Sequence, residues 1–419
     1  MKQIKIKGGN ELTGTIRISG AKNSAVALIP ASLLSDDEVV IDNIPNISDI
    51  VALNEILEYL GATVSRDGEL MKINSKTINN REIPEKISSK LRASYYFMSA
   101  LLGKFHHVEM YFPGGCKIGA RPIDQTLKAF HQLGAEIIEE NNKYIIDAKE
   151  LIGTHIYLDM PSVGATINTM LVAVKAKGKT IIDNAAKEPE IVNVATFLNN
   201  MGAKITGAGT SEIIIVGVEK LGKCFTEVIP DRIEAGTYII AGALVGHNLK
   251  IENIIPEHVE TLLIKLREMG VKLEIGSDYV TVSSTGKYKH INVKTLGYPG
   301  FPTDLQQPLT TLLTQCNGVS NLEETIYENR FQNVKYLNKM GANIIINKTG
   351  NKIKVNGPNE LIGKKVVATD LRAGACLILA ALKANGTTTI TEIEHVLRGY
   401  ENIITKLQNV GANIKLEEK

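Results

Sequence analysis

The sequence predicts an α/β chain of six repeats of about 70 residues, gathered three and three into two domains of inside-out architecture. Three observations carry this. A helix-ending glycine followed by Ala or Val and a short strand recurs at Gly61, Gly134, Gly202, Gly270, Gly341 and Gly411, at intervals of 73, 68, 68, 71 and 70 residues. Upstream of these marks stand two kinds of helix, one apolar on most sides and one amphipathic. The chain of 419 residues is also longer than the ~250–300 residues that one core usually sustains.

The elements follow in order. The apolar helices read KNSAVALIPASLL, GATINTMLVAVKA, IEAGTYIIAGALV and AGACLILAALKA. Such helices belong inside a domain. Short β-branched strands follow them: GKTIIDN, HNLKIEN and GTTTITE. The amphipathic helix is plainest in RPIDQTLKAFHQLGAEI, where Ile123, Leu127, Phe130 and Leu133 keep near-helical spacing. Its glycine suits the left-handed C′ position. Inner helices bundled together with sheets outside would bury both helix faces, a TIM barrel turned inside out.

Composition narrows the function. Lys and Arg total 47 against 45 Asp and Glu, a net charge of +2. Bulk charge therefore points to neither nucleic acid nor membrane. The four cysteines, at 116, 224, 316 and 376, form no CxxC pair and no disulfide framework. The eight histidines have no ligand-like spacing. No metal and no cofactor are expected. The N-terminus MKQIKIKGGNELTG lacks an apolar signal region, and no stretch approaches the ~20 apolar residues of a membrane span. A cytoplasmic location is expected.

The chemistry gathers where repeats begin. In Ser19-Gly-Ala-Lys-Asn-Ser24, Lys22 and Asn23 open a buried helix, a place that attracts anions. The alternative is a lysine reaching out to solvent. The segment Pro113-Gly-Gly-Cys-Lys-Ile-Gly-Ala-Arg-Pro122 is a loop, and Lys117 and Arg121 beside Cys116 favour its thiolate. The other three cysteines read as small buried hydrophobes. Arg92, Arg232, Arg330, Arg372 and Arg398, with Asp231, Asp304 and Asp370, mark further junctions. Each Asp-x-Arg pair alone is more often a cap. Together they predict a cleft for a small, multiply anionic substrate.

The six repeats with SGAKNS, PGGCKIGARP, PSVGAT, IPDRIEAGT, YPGFPTDLQ and HVLRGY closely resemble the UDP-N-acetylglucosamine 1-carboxyvinyltransferase family of the enolpyruvyl transferase superfamily. The resemblance spans essentially the whole chain. It implies transfer of the enolpyruvyl group of phosphoenolpyruvate to the 3′-hydroxyl of UDP-N-acetylglucosamine with release of phosphate, the first committed step of peptidoglycan synthesis. The implied fold is two inside-out α/β barrel domains, 22–229 and 1–21 with 230–419, and the active site lies in the cleft between them. No obligate protein partner is implied.

By the same resemblance Lys22, Asn23, Arg121, Arg330, Arg372 and Arg398 would bind phosphoenolpyruvate, with Lys22 and Arg398 also catalytic. Cys116 would protonate C3, form the covalent adduct and be alkylated by fosfomycin, and Asp304 would be the base. Asn23, Arg92, Arg121, Pro122, Ile123, Asp124, Gln125, Ser162, Val163, Gly164, Asp304 and Ile326 would contact the nucleotide sugar. Asp370 would support the reacting centre. Met160-Pro161 stands where some members have a lysine. Two alternatives are a 5-enolpyruvylshikimate-3-phosphate synthase-like transferase, against which the cysteine loop argues, and a catalytically silent nucleotide-sugar-binding repeat protein.

Overall fold

In the computed structural model the described residues are 2–114 and 123–418. They form two compact units. Of the described residues, one comprises those up to Ser19 and those from Pro230 onward; the other comprises 20–114 and 123–229, and is called the Gly20–Ile229 unit. Each has its own apolar core, with Phe97, Phe130 and Phe197 fully buried in the second, and Leu305, Leu309 and Leu377 in the first.

The predicted inner helices are the centre of each core. In the Gly20–Ile229 unit they are Lys22–Ala31, Tyr95–Phe105 and Val163–Ala173. The middle helix packs on the other two. Every residue of Val163–Ala173 from Ala165 onward is buried, as an all-round apolar helix requires. In the other unit Arg232–Val245, Thr303–Leu313 and Leu371–Lys383 pack on one another in all three pairs.

Three separate sheets accompany each trio. One has the order Lys204–Thr206, Glu212–Val216, Lys179–Asp183, His155–Tyr157. Its last two strands are parallel, with Ile182 opposite Ile156. Parallel neighbours need a crossover, and the inner helix Val163–Ala173 supplies it. The amphipathic helix Pro189–Asn200 and an antiparallel hairpin complete the repeat. This is the inside-out α/β arrangement that the sequence predicts.

Two strands trade repeats. Leu12–Arg17 precedes the Lys22–Ala31 helix, yet pairs parallel with Gly246–Glu252, Ile16 opposite Ile251. Cys224–Glu227 precedes the Arg232–Val245 helix, yet pairs parallel with Val39–Asp42. Likewise the N-terminal strand Lys2–Lys7 lies between Thr387–Thr391 and Asn413–Glu418 and closes the sixth repeat.

All six marker glycines are left-handed, with φ of 96°, 100°, 105°, 87°, 104° and 102° in chain order. A side chain there would meet backbone strain. The last two amphipathic helices depart from the pattern. The fifth shrinks to Val334–Lys339, and the sixth is split into Glu394–Leu397 and Ile403–Asn409. The break holds Tyr400, which is 1% exposed. Among the described residues no helix is long and apolar enough to cross a membrane.

Candidate functional site

In the unit that contains Pro230 onward, the predicted residues Asp304, Arg330, Arg372 and Asp370 come together. Asp304 lies in the first turn of Thr303–Leu313, where the helix dipole favours a carboxylate. One of its oxygens accepts from Arg330 Nη2 and the other from Arg372 Nη2 at 3.0 Å. The two arginine side chains are only 3% and 5% exposed. Burial works against ionisation of Asp304, but Arg372 and Arg330, with Arg232 beyond them, overcome it and hold the carboxyl far below the usual carboxylate range. Arg372 in turn lies 5.3 Å from the centre of the Tyr400 ring and Arg330 5.4 Å from that of Tyr327. Arg330 Nε is buried without a hydrogen-bond partner.

Asp370 is a cap, as the Asp-x-Arg spacing allowed. Its Oδ1 accepts from the backbone N–H of Arg372 at 2.8 Å and of Ala373 at 2.9 Å. Its Oδ2 faces Gln307 Nε2 at 3.5 Å, and the same amide donates to the Arg330 carbonyl at 2.8 Å. The split in the sixth outer helix begins at Arg398, the C-cap of Glu394–Leu397, two residues before the Tyr400 that packs under Arg372. Ile326 is 41% exposed, and its N–H donates to Glu324 Oε1 at 2.8 Å.

In the Gly20–Ile229 unit, Lys22 and Asn23 open the inner helix Lys22–Ala31. That helix has no side-chain cap and no acidic residue in its first turn. Lys22 is 15% exposed and its Nζ pairs with Asp49 Oδ2 at 2.8 Å, so it does not reach for solvent. Ser162 caps the Val163–Ala173 helix through the N–H of Ala165 at 3.2 Å. Gly164 follows, and a Cβ added there would stand 1.9 Å from the Tyr95 hydroxyl. Arg92 lies 5.7 Å from the centre of the Tyr95 ring. Glycine at 164 thus leaves room for the aromatic ring that Arg92 covers. Asp124 and Gln125 begin the helix Asp124–Gln132, and Gln125 accepts from Asp159 N–H at 2.8 Å and donates to its Oδ2 at 3.1 Å. Ile123 is its N-cap and Val163 the first residue after the Ser162 cap.

Cys116, Arg121 and Pro122 lie outside the described residues. The other cysteines are shielded thiols. Burial pushes Cys224, Cys316 and Cys376 each up to about 11. Among the described residues no group of His, Cys, Asp and Glu is arranged to hold a metal.

Sequence reasoning missed Asp49, Tyr95, Asp159 and Tyr327, all partners of the residues it chose. Their signal is tertiary: Asp49 sits in the first turn of a different helix, Ser48–Leu60, and meets Lys22 only after packing. Chemically, the described residues offer two buried guanidiniums around one carboxylate, a partly exposed lysine at an uncapped helix start, and several polar loops that could hold a larger ligand.

The family model for EPSP synthase (3-phosphoshikimate 1-carboxyvinyltransferase) matches residues 6–407. A UDP-N-acetylglucosamine 1-carboxyvinyltransferase 2 of Geobacillus kaustophilus is 53% identical over 418 residues, covering 100% of this chain and 97% of the relative. One of Listeria monocytogenes is 52% identical over 412 residues, covering 98% and 97%. The enolpyruvyl transferase NikO from Streptomyces tendae superposes with a TM-score of 0.90 at 27% identity, over 99% of each chain. An EPSP synthase from Acinetobacter baumannii, at 17% identity and a TM-score of 0.78 over 99% of this chain and 100% of that one, shares the fold. Matched over residues 6–407 by the family model and over 98–100% of its length by relatives at half identity or better, this chain belongs to the enolpyruvyl (carboxyvinyl) transferase family, among the UDP-N-acetylglucosamine 1-carboxyvinyltransferases.

Proposed function

We propose that this protein transfers the enolpyruvyl group of phosphoenolpyruvate to the 3′-hydroxyl of UDP-N-acetylglucosamine and releases phosphate, in the cytoplasm, at the first committed step of peptidoglycan synthesis. The observation that carries the reading is identity of 53% along the whole chain to a protein named for that reaction. In this reading each three-repeat unit is one enolpyruvyl transferase domain.

The reaction is addition followed by elimination. The sugar oxygen bonds to C2 while C3 takes a proton, giving a tetrahedral ketal. Loss of a C3 proton and of phosphate then restores the double bond. Cys116 is assigned the C3 proton and is the residue fosfomycin alkylates. Lys22, Asn23, Arg121, Arg330, Arg372 and Arg398 are assigned the carboxylate and phosphate of phosphoenolpyruvate, since a doubly anionic substrate needs several cations. The unpartnered Nε of Arg330 is a donor in reserve for that purpose. Arg92, Pro122 to Gln125, Ser162 to Gly164 and Ile326 are assigned the nucleotide sugar, and Asp370 steadies the centre by fixing Arg372.

Asp304 is assigned the hydroxyl proton, and its two arginine partners bear on that role. While both arginines are on the carboxylate its basicity is lowered. Phosphoenolpyruvate competes for the same guanidiniums. Each contact it draws away returns basicity to Asp304, so the base is armed by the co-substrate.

The test is phosphate release from phosphoenolpyruvate by the purified protein, with UDP-N-acetylglucosamine, with shikimate 3-phosphate, and with neither. Release only with the nucleotide sugar, abolished by fosfomycin, is expected. Cys116→Asp should keep turnover and lose fosfomycin sensitivity. Because the matching family model is named for the shikimate enzyme, release with shikimate 3-phosphate is the specific rival outcome. Nucleotide-sugar binding without release would favour a silent binding protein.

A further inference from the structure

Glu324 is 2% exposed, and among the described residues no lysine or arginine pairs with it. A buried carboxylate held only by neutral groups is costly unless its oxygens are well satisfied. Here they are. Oε1 accepts from the Thr295 hydroxyl at 3.0 Å, from the Ile326 N–H at 2.8 Å and from the Tyr327 N–H at 3.3 Å. Oε2 accepts from the Thr303 hydroxyl at 2.8 Å. Two hydroxyls and two backbone N–H groups thus converge on its two oxygens.

Those donors belong to three segments. Thr303 is the first residue of the helix Thr303–Leu313 and is bonded in the chain to Asp304. Ile326 and Tyr327 lie on the loop that runs to Arg330, and Tyr327 packs against its guanidinium. Thr295 follows the strand Asn292–Lys294, and also accepts from Thr325 N–H at 2.9 Å. A single carboxylate therefore ties the helix start that carries Asp304 to the loop that carries Ile326.

We propose that Glu324 is a positioning residue, which holds Asp304 and the Ile326 loop in register for the hydroxyl of the nucleotide sugar. This rests on the roles of Asp304 and Ile326 proposed above. Arg330 has an anchor outside the Glu324 contacts, Gln307 Nε2 on its carbonyl. Phosphoenolpyruvate binding should therefore depend on Glu324 far less than the sugar does.

The experiment measures kcat and both KM values of the full chain by phosphate release, per titrated active site, for wild type, Glu324→Ala, Glu324→Gln and Thr303→Val. Misplacing a reacting group by an ångström costs on the order of 100-fold. Glu324→Ala should lower kcat by about that factor and raise KM for UDP-N-acetylglucosamine at least about fivefold, with KM for phosphoenolpyruvate within about threefold. Glu324→Gln should recover most of the loss, because its amide oxygen can serve the backbone donors and the Thr303 hydroxyl can turn to accept. Thr303→Val cuts only the Oε2 contact. It should lower kcat about tenfold and leave KM for the sugar alone.

A merely structural role would reduce the number of active sites and leave both KM values unchanged, and that result overturns the proposal. So does Glu324→Ala with kcat within about threefold of wild type. If Glu324→Ala does not fold, wild-type kcat in Thr303→Val overturns it instead. A wild-type chain that releases no phosphate with the nucleotide sugar defeats the proposed function itself, a result distinct from an active wild type with an indifferent Glu324.

Discussion

In one unit the inner helix Thr303–Leu313 begins with a carboxylate clamped by two arginines that are 3% and 5% exposed. In the other the inner helix Lys22–Ala31 begins with a lysine, 15% exposed and paired to the carboxylate of Asp49. The frames are repeats of one another, but the charges are reversed. Asp304 suits the positive end of a helix and Lys22 opposes it. The helices of Arg232–Val245, Leu371–Lys383 and Val163–Ala173 take Asp231, Asp370 and Ser162 as side-chain caps, while Lys22–Ala31 has none. Tyr95–Phe105 and Thr303–Leu313 lack one too, so what sets the Lys22 repeat apart is the lysine at its helix start and not the missing cap.

The comparison breaks first, and hardest, at the carboxylates. Asp304→Ala would leave two buried guanidiniums facing each other. Removing one partner of a buried charged set costs about 3–5 kcal/mol. Asp49→Ala removes a carboxylate from a lysine that is 15% exposed, and about 1.5–3 kcal/mol is expected, the worth of a charge-assisted hydrogen bond. Urea unfolding of both variants measures the gap. Equal costs would mean that the two sites are built alike after all. Phosphate release should fall at least about 100-fold in Asp304→Ala, as expected for loss of a positioned base. Because the folded carboxyl of Asp304 is held low, its stabilisation is complete above its ordinary value of ~3.9 and is lost as pH falls further.

Next in size is Gly164→Ala. The added methyl would collide with the Tyr95 hydroxyl at 1.9 Å and crowd the ring carbon at 3.0 Å. Overpacking of this kind costs about 1–3 kcal/mol. Tyr95→Phe in the same chain removes the nearer clash, so the double variant should regain more than about half of the loss. If the double variant is no better, the glycine serves the helix start itself and not the ring.

The frame was largely legible and the electrostatics were not, for one physical reason. A left-handed glycine after an amphipathic helix is a local feature. So is an apolar helix, and Gly61 through Gly411 and the inner helices could be read within their own windows. Asp304 and the arginines at helix starts were legible as residues because each breaks or decorates a local pattern. Their partners were not. Lys22 meets Asp49 from another helix, and Glu324 gathers donors from Thr295 to Tyr327 only after the sheet and helix have packed. The strands Lys2–Lys7 and Leu12–Arg17 look like an ordinary beginning, yet they complete repeats whose other strands stand at Gly246–Glu252 and Asn413–Glu418. Periodicity along the chain carries no record of such exchange.

A third effect separates two carboxylates of the unit from Pro230 onward by pH. Glu234, in the first turn of Arg232–Val245, is 2% exposed and accepts from Ser19 N–H at 2.8 Å and Lys406 Nζ at 2.7 Å. Burial outweighs the lysine and pushes its carboxyl from 4.5 up to about 6. The folded state then holds a proton that the unfolded chain has released. This stabilisation is complete below pH 4.5 and is lost as pH rises through about 6, roughly 2 kcal/mol in all. Asp304 is ionised in both states over that window and contributes no slope. Unfolding free energies of wild type and Glu234→Gln across it should diverge by about that amount, and parallel curves would remove Glu234 from the account.

The smallest effect tests whether the repeats are equivalent at all. Gly202 and Gly270 belong to different units, with φ of 105° and 87° and no atom within 4 Å of an added Cβ. Alanine at either meets only the left-handed backbone penalty, about 1 kcal/mol. The two costs should agree to within about 0.5 kcal/mol, the scatter of independent sites. Gly134 has the same conformation, but its Cβ would come 2.9 Å from the Glu150 carbonyl oxygen. Gly134→Ala should therefore exceed the other two. A cost at Gly202 equal to that at Gly134 would mean that φ alone keeps glycine at the marker; a cost near zero at Gly202 and Gly270 beside a large one at Gly134 would mean that crowding does, and the helix-ending signal from which the six repeats were read would owe its recurrence to packing.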